Sequence, residues 1–351
     1  MFRLKLWVKS SSASSTMAGV TPQVLQSRRA NKGIGLEICR QLASQGVSVV
    51  LTARNEKRGL DAVEKLKKSG LSDYIMFHQL DVMDSASIDS LAVFIKSQIG
   101  KLDILVNNAG VGGTTDGGTG GAKVKRTAYE LAVECLQVNY YGTKRTTEAL
   151  LPLLQLSDSP RIVNVSSGMG ALSTGGAKGR GNAYELAVEC LQINYYGTKR
   201  STEALLPLLH LSDFPRVVNV SSTMGALSGI RNKWARETLN DVETEERIDQ
   251  VLNEYLKDVK EGSAEANGWP SYWGVYCVSK AAVTAYTRLL AKKYPKMLIN
   301  CVCPGWVKTD LSNHSGPLRP EEGARSPVRL ALLPDDGPSG LFFNRMQVSS
   351  F

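Results

Sequence analysis

The chain has 351 residues, 42% hydrophobic and 21% charged, enough apolar material for a sizeable core in one large or two average domains. No apolar run approaches the ~18 to 20 residues that span a bilayer, so no membrane association is expected. Of the formal charge of +9, six charges fall in residues 1–36 (Arg3, Lys5, Lys9, Arg28, Arg29 and Lys32, with no acid), which describes a basic tail on a near-neutral body and argues against nucleic acid as a partner.

Six cysteines, at 39, 135, 190, 277, 301 and 303, form no Cys-x-x-Cys pair, and the only histidines are His78, His210 and His314. No metal site and no disulfide framework is therefore expected, and a reducing, cytoplasmic setting fits. The acid-free, Ser-rich stretch Met1–Arg29 has the composition of a transit peptide; the reading adopted is an unstructured basic tail over 1–29, followed by one domain over 30–351.

In chain order, Gly35–Ser44 reads as a helix with Leu36, Cys39, Leu42 and Ala43 on one face. Val47–Thr52 is a short β-branched run of the kind buried in parallel sheets. Further strands are expected at Tyr74–Leu80, Leu102–Asn107, Arg161–Val165, Arg216–Val220, Leu298–Cys303 and Gly340–Phe343, with helical patterns between most of them. This alternation predicts an α/β fold with a doubly wound parallel sheet, Rossmann-like, in a single domain. Residues 119–173 recur as 174–228, two abutting 55-residue blocks that differ at ten positions. Two copies are too few for a solenoid and indicate a tandem duplication of one helix-strand unit. Beyond them lies an insertion of about 229–268, in which Ile248, Val251, Leu252, Tyr255, Leu256 and Val259 fall at helical spacing.

Three features carry chemistry. Asn31-Lys32-Gly33-Ile34-Gly35 opens the first helix, where glycines and free N–H groups admit a pyrophosphate. After the next strand comes Arg54, at the point where a dinucleotide fold meets the ribose 2′ group; a cation there favours NADP(H) over NAD. Tyr276 and Lys280 stand at i and i+4, so a phenol and an ammonium share one helix face, and the cation is expected to lower the phenol's pKa toward working pH.

Together with Asp81-Val82, Asn107-Asn108-Ala109-Gly110, Asn194-Tyr195-Tyr196-Gly197, Val218-Asn219-Val220-Ser221-Ser222 and Pro304-Gly305-Trp306-Val307, these motifs follow in an order that resembles the short-chain dehydrogenase/reductase family, in its carbonyl-reductase branch. The resemblance implies a carbonyl reductase acting reversibly on a small hydrophobic ketone or aldehyde. Tyr276 would be the general acid/base, Lys280 the residue holding the nicotinamide ribose, and Ser222 a hydrogen-bond donor to the substrate oxygen. Asn194 would anchor a proton-relaying water. Asp81 would meet the adenine, Asn108 would line the cofactor cleft, and Pro304, Gly305 and Thr309 would flank the nicotinamide. The 229–268 insertion resembles the segment that keeps members of this branch monomeric.

Two departures qualify that picture. The family begins with a strand running into Thr-Gly-x-x-x-Gly-x-Gly, whereas here Arg28 and Arg29 stand at the Thr-Gly positions and Pro22 interrupts Val20–Ser27. A central strand is disfavoured by proline, so the first strand is expected to be missing; the alternative function is then a non-catalytic or impaired member. The duplication also offers Asn139 and Ser167 as rivals to Asn194 and Ser222. The 54-residue step from Ser222 to Tyr276 favours the second copy, and the 31-residue step from Asn108 to Asn139 favours the first. One copy is expected to leave the sheet.

Overall fold

A computed structural model describes residues 22–26, 30–108, 134, 137–165, 183–210 and 215–351. Nine strands form one sheet: β1 (Pro22–Gln26), β2 (Ser48–Ala53), β3 (Ile75–Gln79), β4 (Ile104–Asn107), β5 (Arg161–Asn164), β6 (Arg216–Val220), β7 (Leu298–Cys303), β8 (Phe342–Asn344) and β9 (Gln347–Ser349). Their order is β3-β2-β1-β4-β5-β6-β7-β8-β9, parallel except for the β8–β9 pair.

Alternation along the strands separates two cores. Val49, Leu51, Ile104, Val106, Val163 and Val218 face α1 (Gly33–Ala43), α2 (Glu56–Leu66) and α10 (Pro320–Ala331). Val50, Leu105, Ile162, Val217 and Ile299 face the other side. There lie α3 (Ser85–Gln98), α4 (Thr143–Leu154), α5 (Ala183–Leu191), α6 (Gly197–Leu209), α8 (Glu245–Glu261) and α9 (Gly274–Lys293), with α7 (Lys233–Asn240) packed on α8. Burial on both faces is why these strands read as continuous apolar runs. The amphipathic pattern of the insertion becomes α8, stopped by Gly262 in the left-handed conformation (φ 72°).

Two expectations are overturned. The first strand is not missing: β1 lies in the middle of the sheet, paired with β2 and β4. Pro22 is its first residue, a place where the absent N–H interrupts little of the ladder. Residues 22–26 therefore belong to the domain rather than to the tail; the rest of 1–29 lies outside the described residues. Nor does either repeat copy leave the sheet, since β5 from copy one and β6 from copy two pair side by side, Ile162 with Val217 and Asn164 with Asn219.

A buried polar ladder shows how the second copy fits. Asn107 Nδ2 donates to Asn164 Oδ1 (3.0 Å), and Asn164 Nδ2 donates to Asn219 Oδ1 (3.2 Å). From the helices above, Thr147, Thr202 and Thr287 each take a hydrogen bond from one asparagine, at 3.4, 3.5 and 3.2 Å. Asn164 and Asn219 are duplicates, as are Thr147 and Thr202. Each strand donates to its successor through the same kind of amide that accepts from its predecessor, so a copied unit finds its buried amides already matched.

Candidate active site

The strand ends on one side of the sheet border a cavity of about 750 Å³. Lys32, Gly33, Ile34 and Gly35 line one end. Gly33 has φ 62°, the turn that lets α1 begin beneath the cavity, and a side chain there would be strained. The N-terminus of α1 has no side-chain cap and no acid in its first turn, so its N–H groups and dipole favour an anion. Lys32 forms an ion pair with Asp310, in the loop after β7, and His314 Nε2 lies 3.2 Å from the same carboxylate. Nothing in the spacing of the motifs points to Asp310.

Ser222, Tyr276, Pro304, Gly305 and Thr309 line the rest of the cavity, with Asn108 and Asn194 on its floor. Tyr276 and Lys280 sit one turn apart on α9, which is buried continuously from Val275 to Thr287. Tyr276 is 9% exposed, with the Ser222 side chain beside its phenol. Lys280 is fully buried; its Nζ donates to Val220 O at 3.0 Å and lies 5.8 Å from the Tyr276 ring centroid. Burial pulls the Lys280 ammonium down to about 8 from its ordinary 10.5. The expected effect on the phenol is reversed: burial pushes Tyr276 above its ordinary range, the Ser222 side chain acting the other way. Desolvation in a fully packed helix is the largest cause.

Asn194 lies in a π-helical turn, Gln192–Tyr196, as Asn139 does in Gln137–Gly142. Such bulges interrupt the helical ladder and recur at functional positions. Asn194 Nδ2 donates to Ser279 Oγ (3.1 Å), whose hydroxyl donates to Tyr276 O (2.8 Å). Asn194 Oδ1 is buried with no hydrogen-bond partner among the described residues. Asn139 lines the same cavity, so the rivalry between copies resolves into two neighbouring stations; Ser167 lies outside the described residues. Only Ser222 is seen against Tyr276.

Four expected cofactor residues stand off the cavity lining: Asn31, half-buried; Arg54, exposed after β2; Asp81, half-buried, its Oδ1 accepting from Met83 N at 3.1 Å; and Lys280, fully buried. Residues the motifs did not single out also build the site. Met224, Tyr272 and Trp273, joined by Trp306 of the Pro304–Val307 motif, give the cavity apolar walls. Gly225 brings the turn after β6 against α9, where a Cβ would stand 2.6 Å from Ala281 N and Lys280 C. That contact fixes Ser222 relative to Tyr276. No helix among the described residues is long and apolar enough to cross a membrane.

The family described as short chain dehydrogenase matches residues 30–179, and that described as Enoyl-(Acyl carrier protein) reductase matches 259–336. The chain is 50% identical over 330 residues to "Short-chain dehydrogenase/reductase 1" of Saponaria officinalis, covering 92% of the chain and 94% of that protein. It is 50% identical over 340 residues to "(+)-neomenthol dehydrogenase" of Arabidopsis thaliana, covering 95% of the chain and all of that protein. The solved structure of salutaridine reductase from Papaver somniferum is 46% identical, covers 92% of this chain and 99% of its own, and superposes with a TM-score of 0.59. With such identity over nearly its whole length, and a tyrosine at the wall of a glycine-floored cleft with a lysine one turn along its helix, the chain belongs to the short-chain dehydrogenase/reductase family of oxidoreductases.

Proposed function

We propose that the chain is an NADP(H)-dependent carbonyl reductase that converts a small hydrophobic ketone or aldehyde to its alcohol, and the alcohol back, with Tyr276 as the proton donor and acceptor. The observation that carries this reading is the meeting of a protonated phenol and a serine hydroxyl at one wall of an apolar cavity, with a buried ammonium one helical turn from the phenol. The free N–H groups at the start of α1, the permissive Gly33 and the cation of Lys32 suit the diphosphate of a dinucleotide. Arg54, though off the cavity wall, ends β2 beside β1 and would meet a 2′-phosphate; Asn31, Asp81, Asn108, Pro304, Gly305 and Thr309 complete the cofactor set. NADPH, when bound, supplies the hydride.

The residues of the chain then handle one proton. Because burial raises its pKa, the Tyr276 phenol is protonated at physiological pH and is ready to donate as charge develops on the substrate oxygen. Ser222, held by the Gly225 turn, offers a second hydrogen bond to that oxygen. Lys280 stabilises the phenolate left behind and would hold the nicotinamide ribose, and its depressed pKa suits it to give up the proton that restores the tyrosine. The orphaned Asn194 Oδ1 would hold the water that replenishes Lys280. Tyr272, Trp273 and Trp306 exclude solvent and favour an apolar substrate.

NADP+ reduction with neomenthol and NADPH oxidation with a panel of hydrophobic ketones test the reading. Tyr276→Phe is expected to lower turnover about 10²- to 10⁴-fold. Turnover unchanged by that substitution would remove the tyrosine from the mechanism. The chain is further proposed to act as a cytoplasmic monomer.

A further inference from the structure

The duplication gives the cleft two versions of one floor. Asn139, Thr143 and Val165 of copy one line the cavity beside β4, and their counterparts Asn194, Thr198 and Val220 line it one strand further on. The glycine turn follows β1, whereas Ser222 lies two residues beyond β6 and Tyr276 stands above it. From β1 to β6 the sheet takes three steps, through β4 and β5. With a single copy, the serine-bearing strand would pair with β4 and the count would be two. Each step is about 4.8 Å.

We infer that the second copy of the repeat is a spacer within the binding site, holding Tyr276 about one strand spacing too far from the glycine turn for one dinucleotide to engage both. This rests on the reductase reading above. The intact chain then binds NADPH but transfers hydride slowly. A dinucleotide has a fixed covalent length, and hydride transfer needs its reacting atoms about 3 to 3.5 Å apart.

The sheet cannot close the gap by sliding. Ile162 and Val163 are buried in opposite cores, and the asparagine ladder fixes β4, β5 and β6 in register. The loop after β7 does cross to the glycine turn, where the Lys32–Asp310 pair forms and Thr309 lies beside Gly33. It reaches across as a loop. Ser222 and Tyr276 have no such freedom, since one caps the tight turn two residues beyond a central strand and the other stands on a buried helix that Gly225 of that turn touches backbone to backbone.

Excision of residues 119–173 leaves one copy carrying Asn194 and Ser222; excision of 174–228 leaves one carrying Asn139 and Ser167. Either soluble product serves if the other fails to fold. Single-turnover oxidation of NADPH with the same ketone panel is compared between each product and the intact chain, with NADPH affinity read by fluorescence. At least a 100-fold faster transfer after excision, with the intact chain still binding NADPH, is expected, since misplacement by even 1 Å can cost about that factor. Intact and excised chains equal within threefold, with Tyr276→Phe still abolishing turnover, would overturn the spacer and leave the reductase reading standing. Soluble chains that bind NADPH but never oxidise it, intact or excised, would overturn both.

Discussion

Arg161 and Arg216 are the same residue of the repeat, yet they should respond to one substitution with opposite signs. They pair directly across β5 and β6. Arg216 is 1% exposed and fully engaged: Nε donates to Leu333 O (2.9 Å), one terminal nitrogen to Ser159 Oγ (2.8 Å), and the other meets Asp335 at 2.5 Å. Arg161 inherited the position without the partners. Its Nε is buried with no hydrogen bond among the described residues, and burial, then Arg216 beside it, pulls the guanidinium down to about 10 from 12.5, against the pull of Asp103 and Asp335.

That fall sets a ceiling of roughly 3 kcal/mol on the cost of keeping Arg161 charged. Partial exposure and the two carboxylates reduce the realistic figure to about 1 kcal/mol. Arg161→Met keeps the stem and removes the charge. Asp103 keeps Ser157 (2.5 Å) and Lys101 (3.3 Å), so no carboxylate is stranded. The expected gain is about 1 kcal/mol, or roughly 1 to 2 °C in Tm for a chain of this length. Arg216→Met strands the buried Leu333 carbonyl and breaks a pair whose carboxylate is half-exposed, and should cost about 1 to 3 kcal/mol and lower Tm by a few degrees. Calorimetry on the two variants decides. A loss of stability at Arg161 as large as that at Arg216 would refute the view that the first copy's arginine is an uncompensated charge.

Other outcomes follow from the site. Ketone reduction should be level below about pH 8 and fall above it as Lys280 loses its proton, which a pH–rate profile would show. Because the folded-state value of Lys280 lies below its unfolded value of 10.5, its penalty to stability is full below about pH 8 and is relieved as pH rises toward 10.5; denaturation midpoints over that window should show this contribution moving opposite to activity. Gly225→Ala forces its new methyl into the α9 backbone and should lower kcat about 10²-fold by displacing Ser222, with NADPH affinity nearly unchanged in a fluorescence titration. Asp310→Asn releases Lys32 toward the dinucleotide phosphates and should tighten NADPH binding about two- to fivefold at low salt, an effect that salt suppresses.

Much of the fold is written in local periodicity. β2, β4, β6 and β7 were legible as short apolar runs because both faces of a parallel sheet are covered, and α8 as a stripe at helical spacing. Periodicity names faces but not neighbours, however. It shows that Ile162 and Val217 are buried without showing that they are adjacent, so the fate of the repeat could not be read from it. The misreading of β1 has a similar origin: Pro22 argues against a strand interior, and only the register shows it to be the first residue. At the site, the i,i+4 pair and the glycine turn were legible as spacing. The pKa of Tyr276 was not, because the cation is a local feature whereas the desolvation that raises the value belongs to the whole packed helix.

The duplication separates two tolerances that ordinarily travel together. A parallel sheet accepts a further strand wherever each edge offers what the next one needs, and here the buried amides, the threonines above them and the apolar faces all repeat with the unit. Packing is judged between nearest neighbours, and most neighbours are satisfied, Arg161 Nε and Asn194 Oδ1 being among the exceptions. Chemistry is judged between residues three strand steps apart, β1 at one end and β6 with its helix at the other, and a displacement that costs the core little moves reacting groups by more than a bond length can forgive. A chain can therefore keep its ladder, its two cores and its Ser222–Tyr276–Lys280 cluster intact while the distance that makes them useful together has changed.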